Sequence, residues 1–203
     1  MSTTLNRQKD LEKVSRARFT WNNLKRKSGR FISHPQYLLV RHPCRRVESF
    51  FKDKLRKDLE GRVRNKRQLR NCHYIFFYLA GIDPRTDSLD DIKSKLFKIN
   101  FEAFIRDLPR LYLEDGHLHP QYLLVRKNIF PGFPLHFDYD RILQIESKTD
   151  MAFLETGLGL KLGRKYNSSS KYDNEVAWNQ ALAEIVYEVY REDFAGFGYG
   201  KEF

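Results

Sequence analysis

One stretch constrains this chain more than any other: His34 to Leu55, HPQYLLVRHPCRRVESFFKDKL. It opens with an apolar β-type run, Tyr37-Leu38-Leu39-Val40, passes through Arg41 and reaches Pro43. Beyond Pro43, the residues Val47, Phe50, Phe51 and Leu55 recur at helical spacing and make one face apolar. Proline suits the first turn of a helix, because the N–H it lacks would have no partner there. The expectation is a strand, a sharp turn and a helix, with Arg41 at the carboxyl end of the strand. In open α/β sheets that edge is where ligands bind. A helix starting there presents free N–H groups and the positive end of its dipole. Ser49 falls in the second helical turn, and Arg41, Arg45 and Arg46 gather about the same point. An arginine and a hydroxyl beside a helix N-terminus suit a phosphate. The plainer alternative is an ordinary strand-to-helix turn with solvated arginines.

The same residues, Val40-Arg41-His42-Pro43-Cys44-Arg45-Arg46-Val47-Glu48-Ser49-Phe50-Phe51, resemble a known pattern. It is the V-R-[DN]-P-x-x-R-x-x-S-x-[FY] motif of sulfotransferases that use PAPS (3′-phosphoadenosine-5′-phosphosulfate). The likeness is greatest to the carbohydrate and bacterial family 2 type. The resemblance implies that Arg41 and Ser49 hold the 3′-phosphate of the cofactor. His42 departs from it, standing where an acid or amide is usual. Ser2-Thr3-Thr4 resembles the end of the family's other motif, the P-K-x-[GA]-[SC]-[ST]-[ST] loop around the 5′-phosphosulfate. That implies Ser2, Thr3 and Thr4 as further cofactor contacts, with small residues and hydroxyls admitting phosphate and sulfate to a helix start. The loop lysine has no counterpart here, and Met1 takes the place of a small residue. The chain is therefore expected to begin inside the cofactor loop, with the fold's first strand missing. The other reading of Ser2-Thr3-Thr4 is a helix cap near a terminus.

The 203 residues, 41% apolar, suit one domain, 1–203, with a true core. Charge is uneven: residues 1–73 carry 21 Lys+Arg against 6 Asp+Glu, and the rest carry 16 against 20, within a total of +11. A basic first third points to an anionic partner, and nucleic acid, a nucleotide or an acidic glycan would each fit. No apolar run is long enough to span a bilayer, and the N-terminus lacks the apolar core of a secretory signal. Cys44 and Cys72 are accordingly expected as reduced thiols of a cytoplasmic protein. No Cys/His spacing suits zinc, and no metal is expected.

Along the chain, residues 5–29 read as a basic helix ended by Gly29. After the central motif, Gly61 is expected to break the helix and a second one to run from Lys66 to Leu79. The basic run from Lys52 to Arg70 reads as a solvated face. Ser88 caps a helix with acids in its first turn. Phe101–Leu111 reads as another, ended near Pro109. The octapeptide HPQYLLVR occurs twice, at His34–Arg41 and His119–Arg126, and predicts two similar buried strands. Asp138–Glu146 predicts a strand leading into a helix over 148–160, and Asp138-x-Asp140 is a chance D-x-D triplet. Lys161–Tyr172 is a polar loop, and Glu175–Arg191 an amphipathic helix.

Three of these segments extend the resemblance. His117-Leu118-His119-Pro120-Gln121 is similar to the family's H-x-x-P-Q, on the acceptor side of its site. An imidazole titrates near neutrality and can take a proton from a hydroxyl, so His117 is the candidate general base, with His119 as its control. Tyr139-Asp140 through Glu146 resembles Y-D-x-[IV]-x-[KR]-[FIL]-E, and the tail Tyr190–Tyr199 resembles Y-x-x-D-F-x-x-F-G-Y, which packs back on the domain. In relatives the 161–172 loop borders the nucleotide, which implies Asn167 to Ser170 as contacts. The four segments fall in family order over nearly the whole chain. They imply an α/β fold related to P-loop kinases, with a central parallel sheet flanked by helices. They also imply sulfuryl transfer from PAPS, with PAP as product, to a hydroxyl-bearing acceptor, foremost a glycan. A truncated or inactive nucleotide-binding relative is the second reading, and a basic nucleic-acid-binding protein the third and least favoured.

Overall fold

The computed structural model describes residues 35–130, 133–136, 139–160 and 170–201. The expected helix over 5–29, and most of the 161–172 loop, lie outside them. The architecture is mixed α/β and mostly helical. The chain divides into two units, one drawn from Met1–Arg41 with Gln121–Ser168, the other from His42–Pro120 with Ser169–Phe203.

The first unit holds the sheet. Strand β1 (Tyr37–Val40) pairs in parallel with β4 (Arg141–Gln144), in the register Tyr37↔Arg141 through Val40↔Gln144. The expected parallel sheet is thus two strands wide among the described residues. Strands β2 (Arg126–Phe130) and β3 (Phe133–His136) form a separate antiparallel pair. Tyr37 and Leu39 pack with buried Leu143, Leu154 and Leu160 on one face, while Leu38 and Val40 are buried on the other. That alternation is the period-two pattern of a strand covered on both sides. Helix α5 (Lys148–Ala152), capped by Ser147, continues as a π-helical turn, Phe153–Gly157. Its Asp150 accepts from the Gln144 N–H at 3.0 Å and pairs with Arg141 at 2.6 Å, tying the helix to β4.

The second copy of HPQYLLVR contradicts the expectation of a strand. Gln121–Leu124 is a 3-10 turn with Leu123 and Leu124 exposed, and β2 begins only at Arg126. The first copy has β4 beside it and becomes a strand. Partner, not propensity, decides the conformation.

The second unit is helical around an aromatic core. Helix α1 (Pro43–Lys52) runs without a break into a π-helical stretch, Asp53–Arg62, one residue past the break expected at Gly61. Val47, Phe50, Phe51 and Leu55 are all buried along it. The rings of Phe50 and Phe51 stack on Phe104 at 5.7 and 5.8 Å, and Phe51 meets Phe101 edge-on at 5.3 Å. Truncating such a ring costs about 3–5 kcal/mol. Phe104 belongs to α4 (Phe101–Leu111), capped by Asn100. The helix has the expected bounds, with Pro109 in its last turn. Ahead of it, α3 (Leu89–Phe97) starts on the expected Ser88 cap, closed as a capping box by Asp91.

The helix expected over Lys66–Leu79 is instead a 3-10 turn at Lys66–Gln68, a short α2 (Asn71–Tyr74) and turns up to Gly81. Side chains stop it. Gln68 takes the Arg64 N–H at 2.6 Å and His73 takes the Arg70 N–H at 3.0 Å, so the backbone caps and restarts. The terminal helix also starts later than expected, as α6 (Gln180–Val189) capped by Asn179. It is followed by α7 (Arg191–Phe197), which ends on Gly198 at φ 67°. That left-handed position is where glycine is least strained.

The basic run beyond Lys52 is not a solvated face throughout. Lys52, Lys54 and Arg56 are buried. Residues 48, 52, 56 and 60, four apart, hold the segment after 170: Lys52 pairs with Asp173 at 2.6 Å, Arg56 with Glu175, and Glu60 with Lys171 and Tyr172, while Glu48 accepts from the Trp178 indole at 3.4 Å. Buried cations persist only when paired. Among the described residues no helix is long and apolar enough to cross a membrane.

Candidate functional site

The site is built from the segment that leaves β1 and becomes α1. Past Val40 the chain needs a new partner for the backbone of Arg41, and a side chain provides it. Gln121 Oε1 accepts the Arg41 N–H at 2.9 Å and its Nε2 donates to the Arg41 carbonyl at 2.6 Å. The Arg41 guanidinium makes no ion pair or hydrogen bond among the described residues.

His42 then caps α1. Its Nδ1 accepts the Cys44 N–H at 3.2 Å, which leaves Nε2–H to donate to the Gly200 carbonyl at 3.2 Å. The rings of Phe194 and Tyr199 meet the imidazole edge-on at 5.3 and 5.0 Å. The departure from the family motif is therefore filled by a residue that does what an Asp or Asn cap does, and it also anchors the tail. The helix start is less open than expected, since the Cys44 N–H is taken. No acid lies in its first turn, so the positive dipole end stays uncompensated there.

Arg45 pairs with Glu48 at 3.1 Å, and the Arg46 guanidinium sits 6.0 Å from the ring centre of Tyr190. Ser49 is half-buried in the second turn, and its hydroxyl makes no hydrogen bond among the described residues. Burial pushes the Cys44 thiol up to about 12 and the Cys72 thiol up to about 11; both are free.

His117 follows α4 in the second unit. Asp115 Oδ1 accepts its backbone N–H at 2.8 Å and faces its Nδ1 at 2.6 Å. The imidazole ring centre lies 6.4 Å from that of Phe50, the residue after Ser49. The structure thus brings the candidate base to the helix that carries the motif serine. Burial raises the Asp115 carboxyl, but the two bonds from His117 and the Asn71 amide outweigh it and hold the carboxyl below its ordinary value. His119, the control, donates Nε2–H to the Leu113 carbonyl at 2.9 Å.

Ser2, Thr3, Thr4 and Asn167 to Ser169 lie outside the described residues, as does the Ser170 side chain. In the D-x-D triplet, Asp140 accepts the Gln36 N–H at 2.5 Å. Among the described residues no cluster of His, Cys, Asp or Glu is set to hold a metal ion. Sequence reasoning missed Asp115 and Asn71. The Asp-Gly pair before His117 was the available signal, because Asp-Gly favours a tight turn that would face the acid back toward the histidine.

No curated protein and no solved structure matches the chain. The model of the sulfotransferase family does, over residues 2–200, and it is the family 2 type that the motifs resemble. A match over almost the full length leads to a single assignment: the chain belongs to the sulfotransferase family.

Proposed function

We propose that the chain transfers the sulfuryl group of PAPS to a hydroxyl of a carbohydrate, with residues 1–203 acting as one domain of the P-loop-kinase-related α/β type. Family membership makes it a sulfotransferase in kind; donor and acceptor are the finer reading. The observation that carries it is the imidazole of His117, held by Asp115 and leaning on Phe50 beside Ser49.

The residues present suit the donor. The Arg41 guanidinium and the Ser49 hydroxyl are uncommitted among the described residues, and α1 has no first-turn acid to repel an anion. Arg41 and Ser49 bind the 3′-phosphate; Ser2, Thr3 and Thr4 border the 5′-phosphosulfate on the strength of the resemblance. PAPS, when bound, supplies the sulfuryl group and a phosphate leaving group. His117 takes the proton of the acceptor hydroxyl, making the oxygen a nucleophile. Two unpaired thiols support a reducing, cytoplasmic setting.

The test incubates the chain with sulfur-labelled PAPS and a panel of glycans. Label is expected on at least one glycan, lost in Arg41→Ala and His117→Ala. PAP binding without transfer to any acceptor would favour a nucleotide-binding protein without turnover. Salt-sensitive nucleic-acid binding that survives Arg41→Ala would favour the basic-protein reading.

A further inference from the structure

We propose that Asp115 is a positioning residue that fixes His117 as the Nδ1–H tautomer and so frees Nε2 to take the acceptor's proton. The proposal rests on the reading of His117 as the base. The His117 side chain is 61% exposed and, left alone, would rotate between rotamers and tautomers. Asp115 removes both freedoms. The carboxylate is buried, 5% exposed, and one oxygen meets both the backbone N–H and the ring Nδ1 of His117, at 2.8 and 2.6 Å. An ionised carboxylate only accepts, so the nitrogen facing it must carry the proton. Nε2 is then the bare nitrogen, with no partner among the described residues.

The carboxylate is itself held. The Asn71 amide donates to the Glu114 carbonyl at 2.5 Å and reaches the other Asp115 oxygen at 3.4 Å, tying the turn to the start of α2. Phe50 supports the ring from the motif helix. An ordinary Asx turn accounts for the backbone bond alone; the second bond, to the ring, is what a turn does not need. His119 shows the contrast: its Nε2 is spent on the Leu113 carbonyl, so it has no free nitrogen in that position.

The test reads the imidazole directly. Nitrogen-15 NMR of the full chain at a pH where His117 is neutral should show a protonated Nδ1 and a bare Nε2. In Asp115→Ser, the shorter hydroxyl still caps the turn but no longer faces the ring as an anion. There His117 should shift to the Nε2–H form or a mixture, and kcat for sulfate transfer should fall by about 10²-fold with both KM values unchanged. Asp115→Asn is the second variant should the serine chain not fold. It keeps the shape and one acceptor oxygen but removes the charge and lets an NH2 turn toward the ring, so a partial loss of the Nδ1–H form and a smaller fall in kcat are expected. A folded variant with wild-type kcat, or a serine variant that keeps the Nδ1–H tautomer, overturns the proposal. A wild-type chain that transfers no sulfate would refute the proposed reaction instead. The tautomer comparison would then decide the positioning role by itself.

Discussion

The side-chain amide of Gln121 closes on both backbone polar groups of Arg41, accepting the N–H at 2.9 Å and donating to the carbonyl at 2.6 Å. Along β1 the even-numbered residues turn their polar groups toward β4, as the bonds to the carbonyls of Gln36 and Val40 show. Arg41 therefore points the other way, and Gln121 imitates there one rung of a neighbouring strand. The result is a fixed backbone beneath a guanidinium that stays available.

Removing that brace has a predictable cost. Gln121→Ala should leave the Arg41 backbone without its partners and destabilise the fold by about 1–3 kcal/mol in urea unfolding. Affinity for PAP should fall with it. An unfolding midpoint equal to that of the wild type would show that Arg41 is held by something else.

The two thiols should be inert in the native chain. Cys44 and Cys72 are buried, and burial raises them to about 12 and about 11, so little nucleophilic thiolate exists at neutral pH. A disulfide reagent should label neither in buffer and both in guanidinium. Fast labelling of either in buffer would contradict the burial described.

Asp115 should make stability depend on pH in a defined direction. Its folded carboxyl lies below the ordinary value, because the His117 bonds outweigh burial. The stabilisation is complete above the unfolded value, about 3.9, and is lost as pH falls through the folded value. The gap in unfolding free energy between wild type and Asp115→Ser should shrink as pH falls below about pH 4. A gap flat down to acid would remove the carboxylate from the account.

Much of the helical structure was legible because its signals are local. Pro43 and the Val47–Phe50–Phe51–Leu55 stripe specify α1, and Ser88 with Asp91 specifies α3. What failed depended on distant residues. The two copies of HPQYLLVR are indistinguishable in sequence, yet only the first has β4 beside it. Lys52 and Arg56 read as solvent-facing because their partners, Asp173 and Glu175, stand far along the chain. Gln121 was visible inside H-x-x-P-Q, but a side chain that completes a strand edge has no sequence signature. The helix expected over Lys66–Leu79 was lost to Gln68 and His73, polar side chains that bond nearby backbone and compete with the helix.

We propose that Arg41 holds the cofactor, and calorimetric titration with PAP at moderate salt is the measurement to make. The guanidinium has no partner among the described residues, so Arg41→Ala should fold as the wild type does. Saturable binding is expected for the wild type, weakened about tenfold or more by the substitution, as loss of a charged hydrogen bond of about 1.5–3 kcal/mol requires. Equal affinity in the two chains, or no binding by the wild type, would contradict the account.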